Sequence, residues 1–431
     1  MSTRLREPSQ ARSTQPLKGV RVIEVCDIWV GPGVGTMLAE LGADVIKLES
    51  IQRRSISRGL IAPVQPNPIY PDSVPGDRPW NRNGHFNYHN HDKFGITLDL
   101  SRPQGVQVYR ELVKTCDVVI ENFYSTMMDK LGISYEALKS VRPDLVMLSM
   151  PPYGSTGPYK EHVTYGWLID SVCGHASLRG YPDTDLGDTR AAFLQDPAGI
   201  AMGAFAVITA LHNRARTGKG QHVEMAQMEA FIPRIGEYLL DYSMNGRAAR
   251  RVGNRHPSQA PHGAYRCRGN DKWVTIAVAS DDEWHALCET IGHPELAERY
   301  ADPTVRWQRQ QEIDPFIADW TAGRTDYEAM HALQQAGVAA GVVMDIPQLY
   351  DDPQMAHRGV FQKVTHPDAG THRYYGAPWK LSKSDCRIRR PANLLGEDNG
   401  YVYGEVLGFS PETLRQLVEE AYIGDTPLDA L

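Results

Sequence analysis

The stretch Val20-Arg21-Val22-Ile23-Glu24-Val25, continuing through Gly31-Pro32-Gly33-Val34-Gly35 to Asp44-Val45-Ile46-Lys47-Leu48-Glu49, decides the fold class. Two apolar runs of strand length, rich in β-branched residues, bracket a segment whose residues 36–41 have helical character. Strand, helix and strand in that order form a parallel unit, because parallel neighbours need a crossover connection. The glycines between the first strand and the helix look like a shortened dinucleotide fingerprint, with Glu49 where a ribose-binding acid belongs. Their spacing is G-x-G-x-G, however, and Pro32 removes an amide donor that a pyrophosphate would need. A close-packed turn from strand to helix, with no nucleotide, is the competing reading.

Working outward, residues 51–83 form a long irregular excursion rich in Pro, Arg and Gly, and loops of that length are commonly functional or inserted. Strands are expected at 93–100, 117–121 and 145–150, with amphipathic helices at 105–115 and 135–141 between them. The alternation predicts an open α/β sheet with its ligand crevice at the strand C-terminal ends. Asn122-Phe123-Tyr124 and Pro151-Pro152-Tyr153-Gly154 both fall there.

A chain of 431 residues exceeds one compact unit, so two or more lobes are expected. The net charge of -7 argues against nucleic acid or an anionic membrane as the main partner. Six cysteines lie far apart with no metal-ligand spacing, which fits reduced thiols, and no metal site is expected. Residues 1–16 are polar and read as a loose start without the apolar core of a signal peptide. No apolar run approaches a membrane span. The expectation is a soluble, cytoplasmic protein.

Gln195-Asp196-Pro197-Ala198-Gly199-Ile200 opens a second informative stretch, ending at Arg216-Thr217-Gly218-Lys219-Gly220-Gln221. Asp196 suits an N-cap, Pro197 a first helical position, and Gly218 a stop, with Arg214, Arg216 and Lys219 near the negative end. The same placement also presents a carboxylate at the positive end of a helix, where it could act as a nucleophile. Local pattern leaves both readings open.

Many short motifs in register then carry a resemblance. Leu17-Lys18-Gly19-Val20-Arg21-Val22-Ile23-Glu24, Leu41-Gly42-Ala43-Asp44-Val45-Ile46-Lys47-Leu48-Glu49, Leu98-Asp99-Leu100, Glu121-Asn122-Phe123, Gln195-Asp196-Pro197-Ala198-Gly199 and Thr217-Gly218-Lys219-Gly220-Gln221 are similar to the family III CoA-transferases, the formyl-CoA and carnitine type. Gly253-Asn254, Asp352-Pro353-Gln354, Arg358-Gly359-Val360-Phe361 and Leu395-Gly396-Glu397 continue the likeness in order. The resemblance implies a large Rossmann-like domain built from both chain ends, a smaller α+β domain, and an interlocked-ring dimer. On this sequence the large domain would cover residues 17–224, a linker helix 225–249, the small domain 250–324, and a C-terminal return 325–431.

It further implies that Asp196 is a covalent nucleophile moving CoA from an acyl-CoA thioester, such as succinyl-CoA, to an acceptor acid. An ionised carboxylate attacks a thioester without a base, and the exchange requires no metal, flavin, nicotinamide or other tightly bound cofactor. The implied CoA contacts are Trp29, Val30, Ser50, Lys93, Asn122, Phe123, Tyr124, Lys130, Tyr153 and Gly154, with Lys93 and Lys130 on phosphates and Phe123 on adenine or the pantetheine arm. Ser50 and Pro151 depart from basic residues of some relatives. Arg255-His256-Pro257-Ser258-Gln259 replaces a glycine-rich lid of the formyl-CoA enzymes, which argues against formate or oxalate. Trp29, Tyr153, Tyr165 and Trp167 would suit a larger or aromatic acid.

Three alternatives stand beside this reading. A racemase or intramolecular CoA-transferring isomerase of the same fold would need a histidine where Tyr165 falls, with His162 and His175 out of register. An NAD(P)-dependent oxidoreductase would use the turn at residues 31–35. A non-catalytic partner of a paralogous second subunit is the third, against the homodimer expected from the resemblance.

Overall fold

The computed structural model describes residues 15–60, 63, 65–189 and 192–430. The loose segment expected at residues 1–16 lies, up to residue 14, outside the described residues. Strands β1 (Arg21–Val25), β2 (Asp44–Glu49), β3 (Lys93–Thr97), β4 (Val118–Glu121), β5 (Val146–Ser149) and β6 (Gln221–Glu224) form one parallel sheet in the order β3-β2-β1-β4-β5-β6. Strand order reverses between β1 and β4, and their C-terminal ends open the crevice where ligands bind in doubly wound sheets. The first five strands fall where the sequence pattern puts them. The sixth was not anticipated: Gln-His-Val-Glu is polar and half-exposed, and only its pairing with β5 along Val146–Gln221 to Ser149–Glu224 makes it a strand.

Alternation along each strand sends side chains to two separate apolar layers, as a sheet covered on both faces requires. Ile23, Ile46, Val119 and Met147 join one layer with Tyr109, Leu112 and Tyr403, whereas Val22, Val45, Val118 and Val146 join the other with Val34, Leu38 and Val207. Tyr403 comes from the far end of the chain. Asp398 Oδ2 accepts from the Gly95 amide at 2.8 Å and Asn399 Oδ1 from the Thr97 amide at 2.9 Å. These contacts occupy donors on the outer edge of β3, which would otherwise be an open template for pairing.

Helix α1 spans Val30–Glu40, which corrects the expected helix at 36–41 and the glycine turn before it. Gly31, Gly33 and Gly35 lie inside the first turns. A Cβ on each would stand 2.4 Å from Cys26 Sγ, 2.3 Å from Ile200 Cδ1 and 2.0 Å from Glu24 Oε2 respectively. The glycines therefore serve close packing and do not form a phosphate loop, which removes the feature on which the nicotinamide reading stood. Glu49 is likewise engaged elsewhere: the fully buried Arg58 meets it twice, at 2.7 and 2.6 Å. Arg58 belongs to the long excursion, which is thereby pinned to β2 and leads into α2 (Gly84–His89).

The chain divides into two compact units. The larger comprises residues 1–173, 191–236 and 359–431, and it also contains the antiparallel hairpin Phe361–His366 and Gly370–Tyr375. The smaller comprises residues 174–190 and 237–358. Its antiparallel sheet pairs His262–Arg266 with Trp273–Ala277, and the latter with Ala339–Val342. This last strand carries the unit past the expected boundary at 324. The expected linker helix at 225–249 is three pieces, Gln227–Phe231, Ile232–Ile235 and Gly236–Asn245, with Pro233 in the middle one where its missing N–H interrupts a continuous ladder. No helix among the described residues is long and apolar enough to cross a membrane.

Candidate active site

Two further helices of the large unit build the site, α3 (Gly166–Val172) and α4 (Gln195–Thr217). Helix α4 buries a stripe of small residues, Ala198, Gly199, Gly203 and Ala204, against α1. A Cβ on Gly199 would meet Val30 Cγ1 at 3.0 Å and one on Gly203 would meet Val34 Cγ2 at 2.8 Å, so the two backbones approach closely. The helix ends as its sequence predicts, with Gly218 at φ 71° donating to the Arg214 carbonyl at 2.8 Å.

Its start differs from the expected cap. Leu194 holds the N-cap position without a side-chain bond, and Asp196 sits within the first turn. Asp196 is thus free of the capping role. Asp196 is 6% exposed, and its carboxylate lies against Gly166, where a Cβ would be 2.1 Å from Oδ2. Burial pushes the carboxyl from 3.8 up to about 6, while its own backbone amide pulls the other way. At neutral pH the group is still predominantly ionised, and a poorly hydrated carboxylate beside a helix N-terminus is a competent nucleophile. Gln195, fully buried, donates to Gln227 Oε1 at 3.2 Å, and Gln227 donates to the Met150 carbonyl at 2.7 Å. This chain ties the first turn of α4 to the end of β5.

Gly166 was not singled out for this contact, since nothing local in Thr164-Tyr165-Gly166 announces a partner thirty residues on. Gly166→Ala is expected to displace the Asp196 carboxylate and to lower turnover by on the order of 100-fold, since misplacing a reacting group by about 1 Å costs that much. Steady-state kinetics beside a thermal melt close to that of the native chain would check it; full activity would mean the carboxylate position is not critical.

The loop after β1 runs along the crevice. Asn122 grips it from β4, donating to the Asp27 carbonyl at 2.8 Å and accepting from the Asp27 amide at 3.0 Å. Ile28 adopts φ 65°, a left-handed conformation costly for a β-branched residue and typical of over-determined sites. The loop presents Trp29, whose ring lies 5.7 Å from that of His85, 5.2 Å from His89 and 5.7 Å from Phe193. Phe193 was overlooked in the sequence, although it precedes Asp196 by about one helical turn. Tyr165 holds the N-cap position of α3 without a side-chain bond, and His162 stacks on Tyr159 at 4.9 Å.

Lys93 requires a correction as a phosphate contact. Its ammonium is fully buried in an ion pair with Glu24 at 2.6 Å, and it also bonds Pro32 O, His89 O and Asn90 Oδ1 at 2.7 to 2.9 Å. No proton is left for a phosphate. Lys130 is exposed instead, 3.4 Å from the Tyr124 hydroxyl and 4.9 Å over its ring. Phe123 donates its amide to Glu121 at 2.8 Å. Ser50 closes a turn after β2, accepting from the Gln52 amide at 3.2 Å. The exposed Arg53 stands beyond it, a basic residue that the run Gln52-Arg53-Arg54 could have signalled. Tyr153 faces Tyr159 edge-on at 5.8 Å, and Gly154 has φ 89°.

Among the described residues, no cluster of three or more His, Cys, Asp or Glu side chains is arranged to hold a metal ion. The sequence profile of CoA-transferase family III matches residues 17–399. A succinate–glutarate CoA-transferase of Agrobacterium fabrum is 31% identical over 395 residues, covering 91% of this chain and 96% of that protein. A formyl-CoA:oxalate CoA-transferase of Rhodopseudomonas palustris is 30% identical over 429 residues, covering 94% and 96%. A crystal structure of a CAIB/BAIF family protein from Brucella suis superposes with a TM-score of 0.81 at 30% identity, covering 91% of this chain and 100% of that one. The chain therefore belongs to CoA-transferase family III, enzymes that move CoA between acyl-CoA thioesters and carboxylic acids.

Proposed function

We propose that Asp196 is the covalent nucleophile of this CoA-transferase and that the crevice between β1 and β4 receives the CoA. The observation that carries the reading is the buried Asp196 carboxylate in the first turn of α4, laid over Gly166 and not holding the N-cap position. A carboxylate oxygen of Asp196 attacks the thioester carbonyl, and the C–S bond breaks with its electron pair leaving on CoA thiolate. The thiolate then attacks the aspartyl carbonyl of the anhydride, which releases the donor carboxylate and leaves an aspartyl-CoA thioester. An acceptor carboxylate repeats both steps in reverse, so no net proton or electron is needed. The developing oxyanions require nearby donors and exclusion of water.

In this reading Trp29 and Val30 border the crevice beside the nucleophile. Ser50, Asn122, Phe123, Tyr124, Tyr153 and Gly154 flank it from the strand ends, and Lys130 meets a phosphate. The functional form is a homodimer: Phe205 on α4 and Leu240, Tyr242 and Met244 on Gly236–Asn245 are exposed apolar side chains that a partner would cover. Sedimentation at the monomer mass would reject that part.

The test is intact-protein mass after brief exposure to acetyl-CoA or succinyl-CoA, followed by hydroxylamine. A CoA-sized or acyl adduct that hydroxylamine removes, and that Asp196→Ala lacks, is expected. CoA binding without any adduct from several acyl-CoAs would sink the covalent mechanism.

A further inference from the structure

Beside Asp196 runs a row of three aromatic rings that the transfer chemistry itself does not require. Trp29 and Phe193 lie 5.7 Å apart and tilted by 33°, and Phe193 and Trp167 lie 6.0 Å apart and tilted by 30°, so Phe193 joins the two indoles in a continuous row. Each member is anchored next to the nucleophile. Phe193 precedes Asp196 by three residues; Trp167 follows Gly166, whose Cα faces Oδ2; Val30, next to Trp29, packs on Gly199 in the first turns of α4. Phe193 is 40% and Trp167 49% exposed, which is unusual for rings held so near a buried carboxylate.

The backbone holds the row in place at a cost. Phe193 has φ 43° and Ile28, next to Trp29, φ 65°; neither is glycine, so the surrounding structure over-determines both. Among the described residues, the imidazoles of His85 and His89 border the Trp29 end of the row, with the carboxylate of Asp27 beside His85. Burial lowers both histidines, leaving them uncharged at neutral pH, and Asp27 adds negative charge beside His85. Lys93, under His89, is fully engaged with its buried partners. Among the described residues, no cation contacts any of these three rings.

Resting on the transferase reading above, the geometry points to a ring-binding acyl subsite: this enzyme exchanges CoA onto monocarboxylic acids that carry an aryl group, whose ring stacks along Trp29, Phe193 and Trp167. Aromatic ligands gain offset-stacked contacts there, whereas a dicarboxylate would bring a second negative charge toward Asp27 with no cation among the described residues at the rings to compensate it.

The experiment supplies acetyl-CoA as donor to the native protein with phenylacetate, 3-phenylpropanoate, hexanoate or glutarate as acceptor, and follows each new thioester by chromatography. In each reaction acetate leaves as the acceptor's acyl carbon takes the CoA sulfur. The aryl acids are expected to exceed hexanoate and glutarate in kcat/KM by on the order of tenfold. In Trp167→Leu and Phe193→Leu the aryl-to-hexanoate ratio should fall by roughly the same factor, chiefly through KM. That ratio is internal to each variant, so reduced folding does not mimic it. Preference for hexanoate or glutarate, or a ratio unchanged by both variants, overturns the subsite while leaving the transferase intact. Failure of the native protein to form any Asp196-dependent adduct overturns both.

Discussion

Asp196→Asn is expected to abolish CoA transfer, by on the order of 10³-fold or more, while making the protein more stable at neutral pH. The amide keeps the shape of the side chain but cannot form the anhydride. Stability moves the other way because burial raises the folded carboxyl from 3.8 to about 6. A raised folded value means the native state binds its proton more tightly than the unfolded chain does. The associated stability is fully present below about pH 4 and is lost as the pH climbs through 6. Asparagine does not titrate, so its advantage should be absent near pH 4 and reach up to about 3 kcal/mol above pH 7, the equivalent of roughly two pKa units. Melts of both proteins across this range test the sign; an asparagine variant less stable than the native chain at pH 7.5 would show that the carboxylate is held by favourable donors and not by burial. The native kcat/KM should fall on the acid side of pH 6, since a carboxyl with a value of about 6 is roughly nine-tenths ionised at pH 7 and one-tenth at pH 5.

Glu24→Ala should cost about 3 to 5 kcal/mol, the usual penalty for leaving buried charge without its partner. Glu24 Oε1 accepts from Lys47 at 2.8 Å and Oε2 pairs with Lys93 at 2.6 Å, and all three side chains are fully buried beneath α1. Removing the one carboxylate strands two ammonium groups. Burial and repulsion from Lys47 already hold Lys93 below the ordinary lysine range, with Glu24 opposing that shift. Urea unfolding of the large unit, followed by circular dichroism, measures the loss. A change below about 1 kcal/mol would mean that both lysines shed their protons or reach water in the variant. Because Lys93 also ties His89 and Pro32 together under Trp29, this variant should additionally weaken transfer.

Periodicity along residues 20–150 was enough for the parallel sheet, because strands covered on both faces are largely apolar and the helices between them amphipathic. Asp196 was legible through its motif, and Gly218 as a helix stop through the backbone freedom of glycine. The roles of Lys93 and Glu49 were not legible. A lysine at a strand entry and an acid at a strand end have the same local pattern whether they meet a ligand or a buried partner. Glu24 lies 69 residues before Lys93, while Arg58 sits nine residues after Glu49 inside a segment with no regular pattern. The glycines at 31, 33 and 35 left two readings open for a related reason: glycine allows both a tight loop and close packing, and only the neighbours distinguish them.

The sequence by itself determined the fold class and the family and singled out Asp196 as the proposed nucleophile, since each follows from local pattern or from motifs kept in register. Tertiary structure alone decided that Asp196 is buried against Gly166, that the lysine expected on a phosphate is locked beneath the first helix, and that three rings from three separate segments meet in a row. Burial, ion pairing and stacking depend on distances between residues far apart in the chain, and those distances exist only once the apolar layers on both faces of the sheet have closed.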